Sequence, residues 1–156
     1  MSSESQYLLV LGCSKRKRPE PGLVPAIERY DGVNFRVLRK AIREGYWPSN
    51  LDMLILSAKY GLIEQDTLIK HYDLSMTFKR ANTIQANASA DLDAQLKRKS
   101  YNEVFINLGK NYMVALALSK ELKTVDNRVH YPVGGIGEKM SQMKMWLQDI
   151  SAGGRK

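Results

Sequence analysis

The sequence has few of the residues that build disulfides, metal sites and membrane spans. A single cysteine in 156 residues excludes an internal disulfide and fits a reducing compartment. There is no cysteine cluster, and His71 and His130 share no motif, so we predict no metal site and no cofactor. No apolar run approaches the roughly 20 residues of a membrane helix, and the N-terminal residues lack the basic start of a signal peptide. We therefore expect a cytoplasmic protein with no membrane partner.

Acidic residues are also scarce relative to basic ones. The chain has 24 Lys and Arg against 16 Asp and Glu, which gives a net charge of +8. Lysine and arginine contacts to phosphate supply most of the non-specific affinity for nucleic acids. The charge therefore predicts a nucleotide, DNA or RNA as partner, although dispersed lysines that only keep the protein soluble would give the same total. The sequence decides neither between DNA and RNA nor the oligomeric state.

Short apolar runs alternate with helical patterns along the whole chain. We predict strands over 7–11, 52–56, 103–108 and 128–133, and helices over 34–44, 86–99, 111–122 and 138–150. Such alternation predicts an α/β fold: a single three-layer domain with a mostly parallel sheet of about four strands, Rossmann-like in type. We expect the domain to span 1–156 with flexible ends at 1–6 and 151–156, a loop with one helical turn over 65–76, and a peripheral helix at 86–99.

Polar residues follow each predicted strand at the point where it ends. The most informative stretch is 54–64, in which a buried strand stops at Ser57 and is followed by Lys59, Tyr60 and Glu64. Because the carboxyl ends of parallel strands meet at one edge of a sheet, these residues and those after the other strands are expected to form one pocket. Ser57 is a candidate catalytic residue there, and Glu64 and Asp73 are candidates for acid–base work or for holding a ribose hydroxyl.

Cys13 and its basic neighbours form a second candidate group. Lys15 and Lys17 would lower the pKa of the Cys13 thiol and make it a candidate nucleophile, or they would bind an anion. The alternatives are a half-buried cysteine at a strand end and a solvated basic loop. No spacing in the sequence supports a pair between Cys13 and either histidine.

Glycines and tyrosines complete the predicted pocket. The turn over 134–137, with three glycines before a helix, would bring backbone amides and the helix N-terminus close to a phosphate, although it matches no known nucleotide motif. The alternative interpretation of residues 134–137 is simply a tight turn between strand and helix. Tyr60, Tyr72 and Tyr112 would stack on a base or close the rim of the core.

Several of these segments resemble an uncharacterised bacterial and phage family of small proteins. The resemblance lies in Cys13-Ser14-Lys15, in the run 57–62 (SAKYGL) and in Tyr72-Asp73-Leu74, and it extends to Gly109 and Tyr112 and to the terminal glycine turn and helix. More remotely, the chain is similar to the peroxide-stress YaaA proteins, which bind DNA, and to the core domain of archaeosine synthase, which transfers an amine to a deazaguanine base in tRNA. It lacks the extra length of the former and the RNA-binding domain of the latter. The resemblance implies a connection with nucleic acids or nucleobases.

The sequence therefore leads to a protein that processes a nucleobase, nucleoside or nucleotide by glycosyl- or amine-type transfer linked to nucleic-acid modification. A non-catalytic DNA- or RNA-binding protein of a stress or phage-related process is the alternative, and a structural partner in a modification complex is a third reading. Whether the protein is an enzyme stays open. Catalytic roles are predicted for Ser57, Glu64, Asp73 and Cys13. Ligand or phosphate contacts are predicted for Ser14, Lys15, Lys17, Lys59, Tyr60, Tyr72, Gly109, Tyr112, Gly134, Gly135 and Gly137.

Overall fold

The computed structural model describes residues 7–151. Of the ends predicted to be flexible, 1–6 and 151–156, only Ser151 is described, and it is the last residue of a helix. The strands are β1 (Tyr7–Gly12), β2 (Val24–Pro25), β3 (Leu51–Ser57), β4 (Gly61–Glu64), β5 (Leu68–Ile69), β6 (Glu103–Asn107) and β7 (Val129–His130). The helices are α1 (Ala26–Arg29), α2 (Val33–Glu44), α3 (Phe78–Arg98), α4 (Lys110–Ala115), α5 (Lys120–Thr124) and α6 (Ile136–Ser151), with a short 3₁₀ helix at Asp126–Arg128.

Five strands form one mostly parallel sheet in the order β4-β3-β1-β6-β7. Strands β3, β1, β6 and β7 are parallel, and β4 is antiparallel to β3. In this register Leu9 of β1 lies between Met53 and Phe105. The predicted α/β fold with a mostly parallel sheet is confirmed, with five strands rather than about four. Strands β2 and β5 form a separate antiparallel pair.

Helices cover both faces of this sheet because β1 is apolar on both faces. Leu9 and Leu11 belong to a core that includes side chains of α2 and α6, whereas Leu8 and Val10 belong to a second core with α3, α4 and α5. All four leucine and valine side chains are fully buried. Strands buried on both sides are typical of parallel sheets between two helical layers.

Helix α3 is longer and more central than the sequence predicts. It begins at Phe78, where the Thr77 side chain accepts the Arg80 N–H, and it runs for 21 residues. Its buried face joins Ala81 and Ala88 with the larger Ile84, Leu92 and Leu96, all of which pack in the second core. The expectation of a peripheral helix at 86–99 is wrong because the apolar stripe begins earlier in the chain, and alanines that pack closely on the sheet contribute to it.

Other boundaries differ where local patterns are weak. Helix α2 begins after Gly32, one residue before the predicted start at 34, and it ends as predicted at Glu44, before Gly45, which has φ of 80°. The helix predicted over 111–122 is divided into α4 and α5, the strand predicted over 128–133 contains two paired residues, and 65–76 contains β5 instead of a helical turn. In the stretch from 7 to 151, no helix is long and apolar enough to cross a membrane.

Candidate functional site

A crevice lies where the order of the parallel strands reverses. The chain passes from β1 to β3 on one side and later to β6 on the other, so the loops that follow β1 and β6 diverge. In open α/β sheets, ligands bind at this position, outside the carboxyl ends of the strands. A cavity of about 440 Å³ occupies it. The cavity is lined by Gly12, Cys13, Ser14, Gly32, Val33, Asn34, Phe35, Asn107, Gly109, Tyr112, Ile136 and Lys139.

A second cavity, of about 180 Å³, adjoins the first and carries more charge. It is lined by Cys13, Ser14, Lys15, Lys17, Asp73, Leu74, Ser75, Met76 and Tyr112. Cys13, Ser14 and Tyr112 line both cavities. The two cavities thus bring together seven of the residues predicted for the site, which come from the loop after β1, the segment after β5, and Gly109 and Tyr112 at helix α4.

Cys13 is held at the junction of the two cavities by contacts from two other segments. Its Sγ accepts the Ala58 N–H at 3.4 Å and lies 3.4 Å from the Tyr112 hydroxyl. That hydroxyl donates its proton to the Cys13 carbonyl oxygen at 2.7 Å, so the thiol is the donor in the contact between sulfur and oxygen. Burial raises the pKa of Tyr112, which keeps this hydroxyl protonated. The role of Cys13 as nucleophile stays a prediction.

Gly12 permits the close approach of Tyr112. A Cβ at Gly12 would lie 2.8 Å from two carbons of the Tyr112 ring. The ring therefore rests directly on the backbone of the last β1 residue, and its hydroxyl reaches the next residue along the chain. A glycine at this position is needed for a close contact rather than for an unusual backbone angle.

Ser57 does not face either cavity, contrary to its predicted catalytic role. It is fully buried, and its Oγ accepts the N–H groups of Lys59 at 3.2 Å and Tyr60 at 3.0 Å. The same Oγ lies 3.0 Å from the hydroxyl of Tyr72, which lies 2.7 Å from that of Tyr30. Because both Ser57 lone pairs accept amide protons, Ser57 donates to Tyr72, and Tyr72 donates to Tyr30. We call these three residues the hydroxyl chain.

All three residues of the hydroxyl chain are buried, which indicates a structural role. Tyr72 is 6% exposed and Tyr30 is fully buried. Burial raises the pKa of Tyr30 to about 12 and also raises the pKa of Tyr72, so both phenols remain protonated near neutral pH. Tyr72, predicted to stack on a ligand, instead ties the segment after β5 to the turn after β3.

Two lysines lie over the rings at this end of the sheet. The Nζ of Lys17 lies 4.4 Å from the centroid of the Tyr72 ring, and the Nζ of Lys59 lies 5.4 Å from that of Tyr60. Burial lowers the pKa of Lys17, while Cys13 and Asp73 act in the opposite direction. Lys59 and Tyr60 are exposed beside the turn. Lys17 is thus a partly desolvated ammonium group on the wall of the smaller cavity.

Three of the four basic side chains in the run 15–18 have partners within the protein: the Lys17 Nζ donates to the Lys15 carbonyl oxygen at 3.3 Å, and both arginines form ion pairs. Arg16 pairs with Asp31 at 3.6 Å, and Arg18 pairs with Glu28 at 2.9 Å. Both arginines are therefore used to hold the loop, and Lys15 and Lys17 are the two that line the smaller cavity. The predicted anion contacts at Lys15 and Lys17 are therefore compatible with the position of both lysines on the cavity wall.

Two arginines that are absent from the predicted site residues shape the site from outside. Arg29 is fully buried, and its guanidinium donates to the carbonyl oxygens of Arg18, Glu20 and Gly22, which fixes the loop after β1. Arg80, in the first turn of α3, donates to the carbonyl oxygens of Ala58 and Lys59. No motif surrounds either residue; the only available signal for Arg80 is its position three residues after the capping Thr77.

The glycine turn is closed by the chain's own carboxylate. The Gly135 N–H donates to Glu138 Oε1 at 3.0 Å, and a Cβ at Gly134, whose φ is 104°, would lie 2.8 Å from the same carboxyl group. Gly137 lies within α6 and is exposed. The prediction that Gly134, Gly135 and Gly137 form an anion-binding loop is not met in this conformation, because Glu138 already occupies the position of the anion.

Glu64 lies away from the other candidates. Gly61, with φ of 76°, turns the chain back into β4, and Glu64 then pairs with Leu54 rather than with the end of β3. Its neighbours include Asp52 and Lys99, towards the amino ends of the parallel strands, whereas Cys13 follows the carboxyl end of β1. The sequence analysis did not predict this hairpin, so the prediction that Glu64 lies in the pocket is wrong.

Within residues 7–151 no three His, Cys, Asp or Glu side chains are grouped as a metal site would require.

Comparisons with known proteins give a family and a fold. A family of unknown function, DUF6884, matches residues 8–149. The chain is also similar to the crystal structure of AF0587, a protein of unknown function, with a TM-score of 0.50 and 14% sequence identity over 92% of this chain. The chain spans 45% of that protein's length, and the likeness concerns the fold alone. The comparison with curated proteins gives no match.

Proposed function

Because the chain belongs to this family of unknown function, we propose its role from the site itself: the crevice binds a nucleotide and transfers a group on its base or sugar. The observation that supports this proposal is the junction of two unlike cavities at Cys13. The larger has apolar walls from Val33, Phe35 and Ile136, which suit a heterocycle. The smaller carries two lysines, which suit a phosphate.

The strand order is compatible with this proposal. Doubly wound folds bind nucleotides in the crevice between loops that diverge after two neighbouring parallel strands, as the loops after β1 and β6 do here. On that basis we propose that the fold is Rossmann-like. The phosphate in such folds often lies at a glycine turn. In this protein Glu138 closes the glycine turn over 134–137, so we assign the phosphate to Lys15 and Lys17 instead.

The reactive groups are the thiol of Cys13 and the carboxylate of Asp73, both on the smaller cavity. In glycosyl transfer the Cys13 sulfur attacks C1′ of the sugar as the bond from C1′ to the base breaks, and Asp73 passes the thiol proton to the leaving base. Water or an incoming base then displaces the sulfur from C1′, and the proton that it loses returns through Asp73 to the thiolate. Cys13 lies between the two cavities, which is where the sugar of a nucleotide would join its base to its phosphate.

Calorimetric titration with nucleoside 5′-monophosphates and the matching nucleosides tests the binding part. Charge-assisted contacts contribute about 1.5–3 kcal/mol each, so the loss of two in Lys15→Met with Lys17→Met should lower monophosphate affinity by about a hundredfold or more and leave nucleoside affinity unchanged. Lys123→Met is the control, since Lys123 is an exposed lysine of α5. The proposal would be refuted if no monophosphate bound at millimolar concentration, or if Lys123→Met lowered monophosphate affinity as much as the double variant.

Mass spectrometry of the products tests the chemical part. The wild type is incubated with the bound nucleotide, and Cys13→Ser and Asp73→Asn are compared with it. Both variants should bind the nucleotide but release less free base or exchanged product. If both retained the wild-type rate, the proposed transfer step at these residues would be wrong, while binding at the lysines would still stand.

Non-catalytic binding of DNA or RNA remains the second candidate, favoured by exposed lysines close to the same edge of the sheet, among them Lys15, Lys59, Lys79 and Lys110. The logarithm of the association constant for a nucleic acid should then fall linearly with the logarithm of the salt concentration. Lys59→Glu with Lys110→Glu should make that slope less steep. A slope near zero in the wild type would exclude this second candidate.

A further inference from the structure

We propose that a third cavity binds an alkylammonium ion, supplied by a free amine or by the lysine side chain of a partner protein. This cavity has a volume of about 500 Å³, within the usual range of small-molecule sites. It is lined by Pro25, Ile27, Glu28, Ile42, Gly45, Trp47, Gln65 and Asp66. None of these residues lines either cavity at Cys13, so the inference is independent of the proposed function.

The third cavity lies at the opposite end of α2 from the crevice. Val33 and Asn34, in the first turn of α2, line the larger cavity of the crevice, whereas Ile42 and Gly45 at the other end of the helix line the third cavity. A helix of 12 residues is about 18 Å long. A ligand in the third cavity is therefore separate from one in the crevice.

The charged groups on the wall of the third cavity are all acidic, in a protein whose net charge is +8. Glu28 and Asp66 supply two carboxylates, and no lysine or arginine is among the lining residues. Glu28 meets Arg18 through Oε1 at 2.9 Å, which leaves its Oε2 for a ligand, and Asp66 forms no ion pair within residues 7–151. The carboxyl end of α2, which is the negative end of the helix dipole, borders the same space. These groups favour a cation and disfavour an anion.

The remaining walls suit the hydrocarbon part of such a cation. Pro25, Ile27 and Ile42 present aliphatic groups, and Trp47 adds an indole ring. An alkyl chain packs on aliphatic surface while its ammonium group meets the polar groups, and an ammonium group is also attracted to an indole ring. A metal ion would leave the apolar walls without a partner. The combination of carboxylates, indole and aliphatic side chains therefore identifies an organic cation as the occupant.

Heteronuclear NMR of the labelled wild-type protein tests the inference with its two tryptophans as reporters. Titration with pentylammonium should shift the indole N–H signal of Trp47. It should leave that of Trp146 unchanged, because Trp146 is buried in the core against Phe105. The spectrum of Trp47→Phe assigns the two signals. Pentanol, which lacks the charge, and ammonium, which lacks the alkyl chain, should each bind at least about fivefold more weakly than pentylammonium.

Removal of the carboxylate charges tests the assignment of the wall. Glu28→Gln with Asp66→Asn should lower pentylammonium affinity about tenfold, since each partly exposed ion pair contributes modestly. Asp91→Asn, at an exposed position of α3, is the control and should leave the affinity unchanged. Thermal unfolding checks the fold of each variant. Because Glu28 also holds Arg18, Asp66→Asn alone, with an expected loss of about threefold, replaces a double variant that does not fold.

A parallel titration with a short peptide that carries one lysine between neutral residues distinguishes the two sources of the cation. Tighter binding of the peptide than of pentylammonium supports the site and identifies a protein side chain as its ligand, and the reverse order supports it and identifies a free amine. The inference is overturned if pentylammonium at millimolar concentration does not shift the Trp47 signal. It is also overturned if pentanol binds equally well, or if the carboxylate variants bind pentylammonium as tightly as Asp91→Asn does.

Discussion

The hydroxyl chain predicts that Tyr72→Phe destabilises the protein although it removes a single oxygen atom. Tyr72 accepts the Ser57 proton at 3.0 Å and donates to the Tyr30 hydroxyl at 2.7 Å. Ser57 in turn holds the turn after β3 through two backbone amides. The substitution breaks both side-chain hydrogen bonds and removes the oxygen that accepts the Ser57 proton.

The magnitude follows from these losses. Each buried hydrogen bond contributes about 1 kcal/mol net, and an unsatisfied buried group costs about 1–3 kcal/mol. Together they give a decrease of about 3 kcal/mol in the free energy of unfolding. For a chain of this length the melting temperature should fall by about 6–12 °C. Tyr30→Phe should cost less, because it removes one bond of the chain and leaves the contact between Ser57 and Tyr72 intact.

Urea unfolding followed by circular dichroism measures the effect, with an unchanged m value as the sign that only stability has changed. Tyr46→Phe is the matched control, because the Tyr46 hydroxyl is shielded from solvent and has no hydrogen-bond partner in the described part of the chain. Removing it should be neutral or stabilising. If Tyr72→Phe cost less than about 0.5 kcal/mol, or no more than Tyr46→Phe, the assignment of the hydroxyl chain to stability would be refuted.

Two further predictions concern the residues around the site. Gly12→Ala should displace the Tyr112 ring and lower stability by about 1–3 kcal/mol in thermal unfolding, whereas Gly137→Ala, in open space within α6, should be neutral or stabilising; equal effects would contradict the argument. A hydrogen bond from Arg36 holds the pKa of Asp31 below its usual value, so the stability from Asp31 is present above about pH 4 and is lost as the pH falls through the folded-state value. Asp31→Asn should therefore destabilise the protein at pH 7 and differ less from the wild type at pH 3, and an undiminished difference at pH 3 would contradict this.

The sequence predicts the centre of the sheet well because its signals are local. Strands β1, β3 and β6 are apolar on both faces, so their runs are continuous and end at glycine or polar residues. Helix α2 carries its own stop signal in Gly45. From the strand ends alone one expects Cys13 to lie near the residues after the other strands, and the structure places it beside Asp73 and Tyr112.

The remaining features depend on contacts that the sequence does not display. Whether Ser57 faces a ligand or a buried phenol is decided by Tyr72, which approaches from another segment. Whether the glycine turn binds a foreign anion is decided by the rotamer of Glu138. The hairpin that carries Glu64 away from the site follows a turn whose only local mark is Gly61 at a positive φ.

These contacts also change how mutations at the site should be interpreted. Ser57 and Tyr72 are buried in the hydroxyl chain, so their substitution would lower activity by lowering the amount of folded protein. Lys15 is exposed, and its substitution would change affinity with little effect on folding. Cys13 belongs to both groups, since its sulfur contacts residues 45 and 99 positions away in sequence and also lines both cavities. Loss of activity at Cys13 therefore identifies a reactive thiol only when unfolding and ligand affinity are measured on the same variant.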